Sequence, residues 1–337
     1  MSVNSTGAVT RDTAARSAVL CAPDVTAPGR PIAGTRPRRS SPAADVVLAY
    51  LRIHADRLRV LEPMARADEP DAVHQMRVAV RRLRATLRSF GQVIPRSDSG
   101  HLAAELRWLG RALGAARDAG VLAGRLQASL RTVPPELLVG PVQARVRGHF
   151  APRRAAARAD LLEALDSPRY AALLAELERL TLDPPRGPQA AAPARQVLPA
   201  AVRGACRQAK RRIRRALDIP PGPARDAALH RTRRSARRAR YAAEAASPAL
   251  GKPARRFASR MKQVQSVLGE HQDAVLARRA ARELGIGAHL AGENAFSYGL
   301  LLGREACAAG RLQDQARRAW RRASRRGRRA WMRGPVK

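Results

Sequence analysis

Five basic positions recur at a fixed distance along the chain. His74, Arg77, Arg81, Arg82 and Arg84 are matched by His230, Arg233, Arg237, Arg238 and Arg240, each displaced by 156 residues. A second set, Arg107, Leu113, Gly114 and Asp118, is matched by Lys262, Leu268, Gly269 and Asp273, displaced by 155. Agreement of two separate stretches at nearly one offset points to internal duplication. A chain duplicated in this way is expected to build two similar halves about a pseudo-twofold axis. The expectation is an all-α fold of two pseudosymmetric helical bundles, with both basic rows turned toward a shared central groove. The competing arrangement turns each row to solvent separately, although both rows border a stripe that must be buried.

That stripe is clearest in DAVHQMRVAVRRLRATLRSF, residues 71–90. Val73, Met76, Val80, Leu83, Leu87 and Phe90 step by three and four residues, the period of an apolar helix face. His74, Arg77, Arg81, Arg84 and Arg88 take the same steps one residue on, about 100° around the helix. At about 1.5 Å rise per residue this basic row is roughly 21 Å long. No acid follows Asp71 on the helix. Like charges one turn apart repel by a few tenths of a kcal/mol per pair, so such a row implies an anion to lie on it.

Residues 1–42 are rich in Pro, Gly, Ser, Thr and Arg without apolar period and read as a disordered tail. A first helical half is expected over 43–182. Its first helix ends at Pro63 and the turn Asp68-Glu69-Pro70, and Asp71 caps the striped helix. Further helices are expected over 101–131, 136–165 and 168–181, the last with Ser167 as cap. The Pro-rich stretch 183–193 reads as a linker, and 194–332 as the second half, followed by a short tail, 333–337. There the helices are expected over 194–217, from Asp226 onward, from Pro253 to about Leu284, and over 292–311 with a basic continuation. Nothing shows strand alternation. In the second half Thr232, Arg234 and Ala239 stand where the first has Met76, Val78 and Leu83, so the apolar side of that helix is weaker.

The charge narrows the partner. The 337 residues carry 64 Lys+Arg against 27 Asp+Glu, a formal charge of +37. GC-rich coding could favour Arg over Lys, of which there are only Lys210, Lys252, Lys262 and Lys337, but it does not explain the surplus of base over acid. That surplus implies a polyanion: nucleic acid, an anionic membrane surface or a phosphate polymer. Cys21, Cys206 and Cys307 are widely spaced and odd in number, which suggests reduced thiols in a cytoplasmic protein. No apolar run is long enough for a membrane helix. The seven histidines lack metal-binding spacing, and neither paired carboxylates, nucleophile elbow nor glycine-rich phosphate loop is present, so neither metal, cofactor nor catalysis is expected.

Taken in order, VHQMRVAVRRLR (73–84), LGAARD (113–118), LHRTRRSARRARY (229–241) and VLGEHQD (267–273) resemble the motifs of the CHAD family, the conserved histidine α-helical domain. The likeness runs from about Ala43 to Trp331 and includes a basic-aromatic ending at 329–331. The resemblance implies two pseudosymmetric helical bundles whose basic central surface binds inorganic polyphosphate. Carried over by position, the ligands are His74, Arg77, Arg81, Arg84, His230, Arg233, Arg237 and Arg240, with Arg88, Arg107 and Lys262 as additions. Arg82, Asp118, Lys210, Arg214, Arg238 and Asp273 are expected to support them, the two aspartates by holding arginine forks in place. Many members of the family carry a fused triphosphate-tunnel domain with an E-x-E-x-K strand. The nearest match here, Glu176 to Leu180, sits in a helical pattern, so a stand-alone member is expected.

Arginine suits such a ligand, because its planar fork gives bidentate charge-assisted bonds and keeps its proton. Granule targeting and regulation of polyphosphate metabolism are both compatible roles. Nucleic acid is the competing polyanion, although aromatic platforms for single strands are lacking. An accessory role to a phosphohydrolase ranks third. Trp320 is expected to close the bundle, and Trp331 is left between core and surface arm.

Overall fold

The computed structural model describes residues 40–325 and 330–332. Among the described residues the regular structure is helical, in nine α-helices and 3-10 turns at 135–137 and 330–332, with no strand. The first five helices are α1 (Ala43–Arg66), α2 (Ala72–Ser89), α3 (Arg96–Arg131), α4 (Val142–Asp166) and α5 (Pro168–Leu182). They are followed by α6 (Ala194–Asp218), α7 (Pro223–Leu250), α8 (Lys252–Leu290) and α9 (Phe296–Ala323). Most of the expected tail, Arg329 and residues 333–337 lie outside the described residues.

Helix α2 forms as its stripe dictates. Met76, Val80 and Leu83 are fully buried, Leu87 and Phe90 nearly so, and Val73 packs at the edge. Helix α7 reaches the same depth with smaller side chains. Ala236, Ala239, Ala242, Ala243 and Ala246 are all at 0 % exposure, and the buried Thr232 satisfies its hydroxyl by donating to the Ala228 carbonyl at 3.0 Å. Small residues let neighbouring helices approach closely, and α7 packs against α6 and α8 on one side and α1 and α2 on the other. The weak apolar side read from Thr232 and Ala239 is therefore the surface of a closely packed helix. Arg234 is exposed.

Several expected boundaries move. Helix α1 runs through Pro63 to Arg66, because Leu61 and Ala65 hold both flanks of the proline in the core and one missing N–H does not unseat them. Asp71 is in the left-handed region (φ 62°) and makes no side-chain cap bond, and its carboxylate lies 3.8 Å from Arg117 instead. Ser167 does cap α5, accepting from the Tyr170 N–H at 3.2 Å. The stretch expected to start a helix at Glu136 is a 3-10 turn, Pro135–Leu137, and α4 begins only at Val142. Helix α3 starts five residues early, α8 runs on to Leu290, and α9 continues past Arg311. Glu176 to Leu180 lies within α5.

Residues 183–193 are tied to the α2–α3 turn and to the start of α1. The Gly187 and Gln189 N–H groups donate to the carbonyls of Val93 and Gln92, while Ala43 and Ala44 donate to Ala192 and Ala190. Ala194 donates to the Ser41 carbonyl, and Pro42 bridges Pro193, so the expected disorder does not extend to Ser41 and Pro42. A Cβ on Gly187 would stand 2.6 Å from the Gln92 carbonyl oxygen. Backbone cannot yield as a side chain does, and Gly187→Ala is expected to cost about 1–3 kcal/mol in a urea melt, as overpacking does elsewhere.

Candidate anion-binding site

Where α2 packs on α7, two arginines from each helix come together. Arg77 and Arg81 rise from α2, Arg233 and Arg237 from α7, and each pair lies within the electrostatic reach of the other. Burial, aided by Arg77, Arg233 and Arg117 and opposed by Tyr241, pushes Arg81 down to about 10. Burial and then Arg81, with Arg233 and Arg77, push Arg237 down to about 9, again against Tyr241. Neither Arg81 nor Arg237 has a hydrogen-bond or ion-pair partner among the described residues, and the Arg81 Nε is buried and unpaired. Both remain cationic at neutral pH, so the helices meet around two half-buried charges that no carboxylate pairs among the described residues.

The flanking arginines are held by the second repeated motif. The Arg77 guanidinium lies over Gly114, 3.6 Å from where a Cβ would be, and donates to Asp118 one turn further along α3 at 2.5 Å. Arg233 lies over Gly269 at 3.3 Å in the same way, and acts electrostatically on Asp273 one turn along α8. Burial raises the Asp273 carboxyl, and Arg233 and Arg125 pull it back down. In both motifs glycine supplies a ledge on which the guanidinium rests, and in the first Asp118 also holds the Arg77 fork.

His74 and His230 stand at the start of the two rows. Burial first, then Arg117, Arg81 and Arg77 against Asp71, lowers His74 to about 4. Burial, then Arg234 and Arg233, lowers His230, against a hydrogen bond that the ring donates to Gln272, with Arg237 adding to the lowering. Both rings are neutral at pH 7. The Nδ1 of each is buried without a partner, so neither is a helix-start residue satisfied through that atom.

The positive field extends along both helices. Arg84 is lowered by burial and by Arg107, Arg88 and Arg111. The exposed Arg88 acts in turn on Arg238, which burial, Arg88, Arg212 and Arg96 push down to about 10 and which also donates to Gln208. Arg212 donates to the Ser235 hydroxyl at 2.9 Å. Arg117 and Arg212 are members that the motifs did not single out. Arg117 precedes the repeated Asp118, and Arg212 sits in the basic run of α6, but only the folded positions show which of that run face α7.

Five expected residues are elsewhere. Arg240 is 7 % exposed, and its Nε donates to Glu244 at 2.6 Å. Arg82 lies 3.3 Å from the same carboxylate, and both guanidiniums flank the Tyr241 ring at 5.5 Å. Arg240 is thus a core ion pair and not the counterpart of Arg84, because α7 is enclosed on the side where α2 is open. Lys210 and Arg214 line a separate cleft between α6 and α9. Lys262 is half-buried on α8.

Similarity to known proteins bears out the motifs. The CHAD domain family model matches residues 49–282. The chain belongs to the CHAD family. Uncharacterized proteins from two strains of Mycobacterium tuberculosis are 35 % identical over 289 residues, covering 86 % of this chain and 55 % of theirs. This CHAD protein therefore spans about half the length of those relatives. A CHAD domain from the plant Ricinus communis superposes with a TM-score of 0.65 at 29 % identity, covering 88 % of this chain and 97 % of the other. PptA from Streptomyces chartreusis shares the fold, with a TM-score of 0.69 at 24 % identity over 83 % of this chain and all of that one.

Among the described residues no helix is long and apolar enough to cross a membrane. Trp320 is 7 % exposed in the main core. Trp331 packs edge-on to Phe257 at 6.1 Å between centroids, which places its ring against the bundle.

Proposed function

We propose that this CHAD protein binds inorganic polyphosphate, without turning it over, in an arginine-lined groove along the α2–α7 packing. The observation that carries the reading is the unpaired, desolvated couple of Arg81 and Arg237 within one field. Folding has already removed part of the water from these half-buried groups, so an anion placed there gains charge-assisted bonds at a smaller desolvation cost. A linear phosphate chain suits the row because its oxygens face every direction, and Arg84, Arg88 and Arg238 continue the charge away from the centre. The paired motifs, Arg77-Gly114-Asp118 and Arg233-Gly269-Asp273, support reading the chain as two duplicated halves with the groove on their pseudo-twofold axis. Association with polyphosphate granules in the cytoplasm follows as a role.

Competition separates this from nucleic-acid binding. Purified protein is expected to hold long-chain polyphosphate against an equal phosphate concentration of duplex DNA and against an equal charge of heparin. Displacement by DNA would transfer the reading to a nucleic-acid binder. Orthophosphate release from polyphosphate, lost in Asp118→Asn, would make the protein a hydrolase instead.

The histidines give the binding a pH dependence of definite sign. His74 is neutral down to about pH 4 in the free protein. A phosphate chain beside the ring raises that value, so binding takes up a proton between the free and bound pKa values. Affinity is expected to be flat above the bound value and to rise as pH falls through it. His74→Gln should flatten the rise, and an NMR titration showing no upward shift on ligand addition would count against His74 as a ligand.

A further inference from the structure

Helix α6 is basic nearly all the way around its solvent side. Arg212 faces α7, where it joins the field of Arg88 and Arg234. Lys210 and Arg214 sit about 160° around the same helix and face α9. Between these two edges the exposed Arg215, Arg211 and Arg207 follow at steps of roughly 40–60°. Asp218, at the last residue, is the helix's one acidic side chain. The far edge opens into a cleft of about 470 Å³, floored by Ile213, Leu217 and the buried Trp320. Arg317 and Arg321 of α9 complete its rim opposite Lys210 and Arg214, leaving four cations against Asp218. A solvated helix face would mix its signs or pair them one turn apart, and this one does neither.

We infer that α6 and the α6–α9 cleft form a second stretch of polyanion track, over which a long phosphate chain leaving the α2–α7 groove is carried. The inference rests on the polyphosphate reading and extends its footprint. Crossing half the girth of a helix about 10–12 Å in diameter adds roughly 15–19 Å of track. Only a chain long enough to leave the groove can use it, so the track selects for length. The apolar floor keeps the cleft shallow, so its rim cations lie on the path of the chain and do not enclose its end.

The test compares tripolyphosphate with long-chain polyphosphate on the wild type and on Arg317→Glu/Arg321→Glu, whose two positions are both exposed. The variant is expected to bind the long chain about tenfold more weakly. The slope of its log affinity against log salt should be smaller by about 2, one unit for each phosphate that the protein no longer neutralises. Tripolyphosphate binding should stay at the wild-type level. A variant with wild-type affinity and slope for the long chain overturns the track and leaves the groove reading standing. Equal weakening for both ligands also overturns it, since that is a general effect of charge. If the wild type binds neither ligand, both readings fall together.

Discussion

Replacing Arg81 and Arg237 together by methionine is expected to abolish polyphosphate binding and to raise stability in the same protein. Each arginine offers charge-assisted bonds worth about 1.5–3 kcal/mol, so losing both should weaken binding by at least about a hundredfold. The stability effect has the opposite sign. Both folded-state values are depressed below that of a free guanidinium, which means the charged form is disfavoured by folding at every pH where it stays protonated. Apolar side chains of similar length remove desolvated, mutually repelling charge, and a gain of about 1 kcal/mol or more is expected, or about 2 °C in Tm. Binding titration and thermal melts of one preparation read both quantities. A variant that binds normally would remove the central couple from the site. One that loses both binding and stability would make the arginines structural.

The second large effect concerns the arginines that turn inward. Glu244 is the shared counter-ion of Arg82 and Arg240, whose side chains are 6 % and 9 % exposed, and it also accepts from the Tyr50 hydroxyl at 3.3 Å. These interactions join α1, α2 and α7 at one point. Glu244→Gln keeps the shape and removes the charge, leaving two guanidiniums buried against a neutral amide. The expected cost is about 3 kcal/mol, lowering Tm by about 6 °C or more. The triple change Arg82→Met/Arg240→Met/Glu244→Leu should recover most of that stability, because it removes the stranded charges along with their partner. An unaltered melt for Glu244→Gln would mean that water already serves these groups and that the cluster holds nothing together.

Much of the architecture is legible in the chain because helical period and repetition report on the same thing. The α2 stripe names its large buried side chains, Met76, Val80, Leu83, Leu87 and Phe90, though not the buried Ala72, Ala79, Arg82 and Thr86, and the repeated L-G-x-x-x-D marks where the α3 and α8 ledges receive Arg77 and Arg233. What escapes depends on neighbours far along the chain. Arg84 and Arg240 are equivalent by offset, yet the residue one turn on is Arg88 in one case and Glu244 in the other. That difference is visible in the sequence and is the local sign that Arg240 pairs inward. Nothing local separates Arg212 from Lys210 and Arg214, because which edge of α6 meets α7 is decided by packing. Asp71 departs from its expected role for a related reason. Its residue type fits a cap, but Arg117, 46 positions away, claims its carboxylate.

The stitched segment at 183–193 bears on how quickly a ligand can dock. Its N–H groups bond to Gln92 and Val93, and its carbonyls receive Ala43 and Ala44. A connector fastened along its length to α1 and the α2–α3 turn is no loose loop that could fold over the receiving surface. Encounter with a polyanion should accordingly be a collision with a finished surface, paced by diffusion and long-range attraction. Stopped-flow traces ought then to be single-exponential, with rates linear in ligand concentration and falling steeply as ionic strength rises.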